Sequence, residues 1–524
     1  MKRIASVVLS LFVAAIASAQ VRESVSVEVV QVPVYVSTYN GVVTGLTRDN
    51  FRLFVNGKSQ AIDYFDVVDF SAINVPEEER LDPRQRRLYL LVFDLLFSTP
   101  IAIARAQVAV DRLLLRAGRS DEFSVATYRH NRGIELLVPF TRDRGAIRRA
   151  VQTLKPSGTS DVLRLAVNPE ETEALTQGIE FDESEASSNP TTQLAGADEE
   201  MLHQPLKNLI EDQIANLASI GQRLAPLEGQ KHVVLLSTGF SSRMVHGVGA
   251  QTNPGNLRTM SADPLTARMS LPHPVKDEID ARLVRVLQAL DSEYAAAGVF
   301  LDAIDIAGLR PGGSPTENEG LVMLARDTGG DLIEKRNNLA EALEVLTDRQ
   351  RVVYVLGFHA RNTHREQNSI EVRLRNVEGH PLLHYRRGYS SAAPVISSND
   401  GIRIADILLN DIPQSGLEVR TSVGPPSEVN VIIPASQLLA QVEKSVEANI
   451  LIYIFSAEKA VASADRRLSL DRERIEAAGR EGVIRFTQPF KLPPGDYTAK
   501  VIVRLEGTPV LGFTRADFTV KERQ

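Results

Sequence analysis

The chain has 524 residues, 43% hydrophobic and 24% charged, the profile of a soluble globular protein with room for about three domains. A net charge of −7 argues against nucleic acid or an anionic membrane surface as partner. The absence of cysteine excludes disulfides, thiolate zinc sites and thiol catalysis.

The first twenty residues, MKRIASVVLSLFVAAIASAQ, place Lys2 and Arg3 before a short apolar core from Val7 to Ile16, then small residues at Ala17, Ser18 and Ala19. That order predicts a secretory signal peptide over 1–19, cut after Ala19 and too short to be a spanning helix. No later stretch is apolar and long enough to cross a bilayer. The mature chain is therefore expected to be secreted or periplasmic, without a transmembrane segment.

Residues 25–38, VSVEVVQVPVYVST, alternate apolar and polar side chains as a half-buried strand does. Asn56-Gly57 is a hairpin signal inside NFRLFVNGKSQAIDYF. A small N-terminal β domain is expected over 20–75, followed by a linker over 76–86. Arg84 to Arg87, the basic run RQRR where the linker meets the central domain, reads as a solvated linker face.

From Arg87 the pattern changes. RLYLLVFD is apolar almost throughout, as a strand buried on both faces is, and it ends at Asp94. Helical and strand patterns then alternate as far as LAEALEVLTDRQ, which predicts an open, mainly parallel Rossmann-like α/β sheet over 87–390. VVYVLGFHA, SIEVRLRN and LLHYRRGYS are expected to finish or flank this domain. Two insertions interrupt it, an acidic one over 161–201 and a Gly/Pro/Met/Ser-rich one over 239–275. Both are expected at the carboxyl end of the sheet, where open α/β sheets bind ligands. After a linker at 391–400, six short strand patterns beginning with IRIADILL predict a β-sandwich over 401–524.

The stretches VTGLTRDNFRLFVNGKSQAI, LYLLVFD, HVVLLSTGF, LARDTGGDL, YVLGFHA and HYRRGYS, in that order and spacing, carry a resemblance. The central domain resembles a von Willebrand factor type A domain, and the chain resembles the VWFA-related family described from Acidobacteria. LPPGDYTAKVIVR is similar to the penultimate hairpin of immunoglobulin-like sandwiches in exported bacterial proteins.

The type A resemblance implies a Mg2+ site with oxygen ligands from three loops: an Asp-x-Ser-x-Ser turn, a threonine, and an aspartate before a glycine. Carried onto this chain it yields Asp94, Ser98 and Thr159 as metal ligands. Leu96 stands where the first serine belongs, and Thr238 where the aspartate belongs. Losing that charge costs on the order of 2–3 kcal/mol of binding, about a hundredfold in affinity. The expectation is a degenerate site with no cofactor, in which Asp94 bonds backbone amides or caps the next helix and Leu96 packs beneath the loop. A weak Mg2+ site is the alternative.

Other candidates read as structural. Asp302 and Asp305 in FLDAIDI are expected to cap loops, and Arg386 or Arg387 to pair with surface acids. There is no His-Glu-x-x-His, and STGFSSR lacks a nucleophile elbow. The chain is expected to be a non-enzymatic interaction or adhesion protein. It would bind an unidentified protein or cell-surface ligand through a rim formed by Asp94, Ser98, Thr159 and Thr238. A Mg2+-dependent adhesin and an exported hydrolase of unrecognised type are the competing readings.

Overall fold

The structure, a computed structural model, describes residues 28–38, 41–71, 85–118, 120–130, 132–154, 191–240, 281–309, 319–334, 336–360, 367–390, 401–414, 416–440, 445–457, 459–478 and 482–521. The signal peptide expected over 1–19, Thr159, the linker expected over 391–400 and most of both expected insertions lie outside them.

The chain opens with strands β1 (Glu28–Thr38), β2 (Gly41–Val42), β3 (Phe51–Val55), β4 (Lys58–Gln60) and β5 (Tyr64–Asp69). Asn56 and Gly57 both have positive φ (50° and 74°), the conformation that the β3–β4 hairpin turn requires.

An α/β layer follows: β6 (Arg87–Asp94), α1 (Pro100–Arg116), β7 (Asp121–Arg129), β8 (Gly133–Thr141), α2 (Arg144–Gln152), α3 (Thr191–Leu224) and β9 (Gln230–Ser237). It continues with α4 (Ala281–Ala297), β10 (Val299–Asp305), α5 (Glu319–Asp327), β11 (Leu332–Ile333) and α6 (Leu339–Arg349). The six strands form one mixed sheet in the order β8-β7-β6-β9-β10-β11, parallel except for the β8 edge. β6 is buried along its whole length because helices cover both faces. Leu88, Leu90 and Val92 pack with residues of α3, α4 and α5. Tyr89, Leu91 and Phe93 face the layer of α1, α2 and α6. The first insertion is shorter than expected on its far side, since α3 begins at Thr191.

β12 (Val352–Ala360), β13 (Gln367–Leu374), β14 (Leu382–Tyr385) and β15 (Gly388–Ser390) correct the expected domain boundaries. They do not extend the α/β sheet. β12 lies between β1 and β5, and β13 pairs with β3, giving antiparallel sheets β14-β1-β12-β5 and β15-β13-β3-β4. Val32, Val34, Leu53, Tyr354, Leu356 and Ile370 are among the residues packed between them. The α/β domain is thus inserted into a single sandwich built from both ends of the 28–390 region.

The C-terminal part comprises α7 (Gly401–Asn410), β16 (Arg420–Gly424), β17 (Glu428–Pro434), α8 (Ala435–Leu439), β18 (Ser445–Ser456), β19 (Lys459–Asp471), α9 (Arg472–Ala478), β20 (Val483–Pro489), β21 (Gly495–Leu505) and β22 (Leu511–Val520). Sheets β16-β17-β20 and β19-β18-β21-β22 are antiparallel and enclose a core that includes Val431, Ile450, Val501 and Val503. Near the start of β21 the Tyr497 hydroxyl donates to the Pro493 carbonyl at 2.9 Å. IRIADILL, expected as a strand, is helix α7. Ile407 and Leu408 pack against Leu451, Ile502 and Leu511 of the C-terminal sheet. One turn apart, Asp406 and Asn410 reach the α/β domain, at Arg86 and the Phe140 carbonyl.

Arg86 and Arg87 correct the reading of a solvated basic run. Both are buried. Arg86 donates to Glu122 (2.7 Å) and Asp406 (2.7 Å), and Arg87 to Asp121 (2.7 Å) and the Gln350 carbonyl (3.1 Å). Burial works against the Arg86 charge, but Asp406 and Glu122 outweigh it and hold the guanidinium above its ordinary pKa.

Candidate functional site

Strand order decides where a ligand-binding crevice can form. After β6 the chain winds outward to β7 and β8, and after β9 it winds the other way to β10 and β11. The loops leaving β6 and β9 therefore diverge, which makes their carboxyl ends the switch point of the sheet. Asp94 closes β6 and Ser237 closes β9.

These two residues meet. The Ser237 hydroxyl donates to Asp94 Oδ2 at 2.5 Å. Asp94 Oδ1 accepts the amides of Leu96 (2.9 Å) and Phe97 (3.1 Å), an Asx-type turn that folds the loop back over the strand end. Asp94 is fully buried, and burial pushes its carboxyl up from the usual range, opposed by Ser237, the Phe97 amide and the neighbouring Gln213. Asp94 does not cap α1. That position belongs to Thr99, whose side chain accepts the Ala102 amide.

The other rim residues are joined to the same loop. Ser98 Oγ accepts the Thr238 amide at 3.2 Å, and the Thr238 hydroxyl donates to the Phe97 carbonyl at 2.5 Å. Leu96 is buried in the core beneath. Phe97 and Phe240 face each other at 5.8 Å, and the Phe240 ring lies over Gly320 of α5, where a Cβ would stand 2.4 Å from the ring. Asp94, Ser98 and Thr238 are therefore brought together, while Thr159 lies outside the described residues. Ser237 was not singled out from the sequence. Its position, next to the residue aligned with the missing aspartate, is the available signal.

The described donors do not fit a Mg2+ shell. Magnesium demands close to six oxygens in near-octahedral array. Here both Asp94 oxygens are engaged internally, Leu96 offers none, and the Thr238 hydroxyl is spent on a carbonyl. Among the described residues no group of three or more His, Cys, Asp or Glu side chains could hold a metal ion.

A second polar constellation lies within the layer where the sandwich meets the α/β domain. Asp302 Oδ2 accepts His232 Nδ1 at 2.9 Å, which leaves His232 Nε2 to accept the Tyr35 hydroxyl at 3.0 Å. Gln350 and the Asp331 amide also donate to Asp302. The imidazole is stacked between Phe300 and Tyr89, each with its ring centroid 5.3 Å away. The adjoining cavity is about 10 Å³, enough for one water and no substrate. Asp302 thus caps a loop through the Asp331 amide, as expected, and is in addition a buried bolt holding His232 and Gln350, while Asp305 caps a loop through the Ala307 amide. Gly329, with φ +82°, lies beside this joint. A Cβ there would stand 2.1 Å from the Tyr385 carbonyl of β14.

Arg386 departs from the expected pairing with acids. It donates to the carbonyls of Ala295, in the last turn of α4, and Gln31. Burial pulls its pKa down to about 10. Lys231 likewise closes the end of α3, donating to the carbonyls of Leu224, Ala225 and Leu227.

No protein-family model matches the chain, and no curated protein does. Among solved structures it is similar to a von Willebrand factor type A protein from Catenulispora acidiphila, at 10% identity over 88% of this chain and 73% of that one, TM-score 0.26. It is also similar to an aerotolerance-related membrane protein from Bacteroides fragilis, at 10% identity over 50% of this chain and 98% of that one, TM-score 0.24. A third similarity is to proximal thread matrix protein 1 from the mussel byssus, with a zinc-occupied MIDAS motif, at 13% identity over 51% and 48%, TM-score 0.22. Scores this low carry no argument about function. No helix among the described residues is long and apolar enough to cross a membrane.

Proposed function

We propose that the chain is an exported, non-enzymatic interaction protein built on a von Willebrand factor type A-like domain. It engages a protein or cell-surface ligand through the carboxyl edge around Asp94, Ser98, Thr159 and Thr238, without a bound metal. The observation that carries this reading is the Asp94–Ser237 bond at the switch point, where a carboxylate that could serve a metal is instead used to hold the rim loop. Support also comes from the chain path, because Phe240 and Leu309 follow the parallel strands β9 and β10 at this same edge. The C-terminal sandwich reads as immunoglobulin-like. Its three-plus-four strand arrangement and the Tyr497–Pro493 bond, placed as in a tyrosine corner, support that reading.

The test is a pull-down from envelope extracts of the source cell with the full chain and with Thr238→Lys, each with and without EDTA. Retention of specific proteins by the unsubstituted chain, lost in the variant and indifferent to EDTA, is the expected result. Loss of retention in EDTA would instead favour a metal-dependent adhesin. Equal retention by the variant would remove the rim from the account.

A further inference from the structure

The C-terminal sandwich is closed on one flank and open on the other. On the side of β16 and β22 the backbones come so close that a Cβ on Gly512 would stand 2.3 Å from the Leu417 carbonyl. On the opposite flank run β19 and β20, each the last strand of its sheet, joined through α9. α9 packs against both strands and plugs one end of that flank with buried Ile475. Along the rest, Ala462, Ala464 and Leu468 of β19 and Ile484 and Phe486 of β20 turn toward the core but are only half-buried.

Arg466 stands in the same row. It lies opposite Ile450 of β18, between the pairs Ala464–Ile452 and Leu468–Ala448, whose β18 members all belong to the core. Its side chain is exposed and donates to the neighbouring Asp465 carbonyl at 3.0 Å, and among the described residues it pairs with no carboxylate. A cation set inward on an edge strand is a guard, because a purely apolar strand added there would bury it unpaired. A strand that brings a carboxylate to that position satisfies the charge, so the guard becomes a selector. Ala462 and Ala464 leave room for β-branched side chains beside them. The flank therefore fits an extended segment that carries one acid among bulky apolar residues at alternate positions.

The chain holds such a segment directly ahead of β1. Residues 21–27, VRESVSV, lie outside the described residues and put Val21, Glu23, Val25 and Val27 at alternate positions. We propose that this segment of one copy adds as a strand to the free edge of β19 in a second copy, with Glu23 against Arg466 and the valines along the half-buried row. A second copy is the source because Val27 adjoins β1, leaving no spare residues to cross between sandwiches, and no strand of the first sandwich pairs with one of the C-terminal sandwich among the described residues. The contact joins two different surfaces, so it propagates from copy to copy instead of closing as a two-fold pair.

The chain has no cysteine, so introduced thiols report the contact directly. Mixed Glu23→Cys and Arg466→Cys chains should oxidise to a disulfide dimer containing one of each, and the double variant to a ladder of oligomers. Sedimentation of the unsubstituted chain should show association that rises with concentration. Arg466→Glu and Glu23→Arg should each weaken it at least about tenfold, and the two reversals together should restore it, which separates a lost contact from a lost fold. Four results would overturn the proposal: a chain monomeric up to about 100 µM, association indifferent to both reversals, a double-cysteine disulfide that closes within single molecules, or a monomer whose β19 edge instead retains a different protein in an Arg466-dependent way.

Discussion

The buried ion cluster at Arg86 offers the sharpest test of how the α/β domain is held to the C-terminal sandwich. Arg86 joins Glu122 on β7 to Asp406 on α7, with both acids buried. Removing one member of a buried pair costs about 3–5 kcal/mol, because the remaining charge is left without its partner. Arg86→Met leaves Glu122 with Arg142 at 2.9 Å and Asp406 with Asn410 at 2.8 Å, so the lower end of that range, about 3 kcal/mol, is expected. Urea unfolding followed by circular dichroism should show the midpoint of the α/β transition falling by on the order of 1 M. Asp406→Leu in the same background should recover part of the loss, because deleting both charges leaves nothing buried and unpaired between the two domains. A shift below about 0.2 M would refute the reasoning and return Arg86 to the solvated linker face that its local sequence suggests.

Three other outcomes follow from the same geometry. Burial, with Arg386 nearby, pulls Lys231 down to about 7, below its ordinary value of 10.5. Unfolding therefore takes up a proton between these two values, so stability should rise with pH across that window and lose the slope in Lys231→Met, as measured by urea melts at several pH values. Melting curves of the unsubstituted chain in millimolar MgCl2 and in EDTA should coincide, while Asp94→Ala lowers stability by roughly 1–3 kcal/mol in both by stranding its hydrogen-bond donors; a Mg2+-dependent rise erased by that substitution would reinstate a metal site. Tyr497→Phe should cost the C-terminal sandwich about 1 kcal/mol by removing the bond to Pro493, and an unchanged calorimetric transition would show the bond to be inert.

What was legible in the sequence is what depends on near neighbours. The unbroken apolar run of β6 announced a strand covered on both faces, and Asn56-Gly57 announced a turn with two positive φ angles. The local bonds of Asp94 to the Leu96 and Phe97 amides were also readable, as was Leu96 beneath the loop. Pairings across the chain were not. Glu28 pairs with Ala360 in β1–β12, and no local pattern says that a strand after α6 returns to the first strand of the chain. Arg86 and Arg87 look solvated because their acids stand at 121, 122 and 406. IRIADILL has the alternation of a strand, yet it must serve two domains at once, and only a helix presents Asp406 and Asn410 on one side and Ile407 and Leu408 on another. β19 is hard to read from KAVASADRRLSLD because it is an edge strand exposed on most of its length, and the face it turns to the core, Ala462, Ala464, Leu468 and Leu470, is half alanine and broken by Arg466.

The attachments of the α/β domain share one end of its sheet. Arg87, at the start of β6, donates to the Gln350 carbonyl and lies over Phe70, which ties together the two points where the chain passes between domain and sandwich. Arg86, the residue before it, bonds to Asp406, and Asn410 reaches Phe140 near the same end of the antiparallel β8. Both β-sandwiches are thus fastened at the amino edge. Along β6 Asp94 lies seven residues beyond Arg87, about 23 Å from that edge. Among the described residues these tethers lie at the end of the sheet opposite Asp94, and buried ion pairs and a stacked His–Asp bolt fix orientation as a plain apolar contact would not. A partner docking on the carboxyl edge would therefore meet a surface presented at a set angle to both sandwiches, and loosening Arg86 should change that angle before it changes the rim.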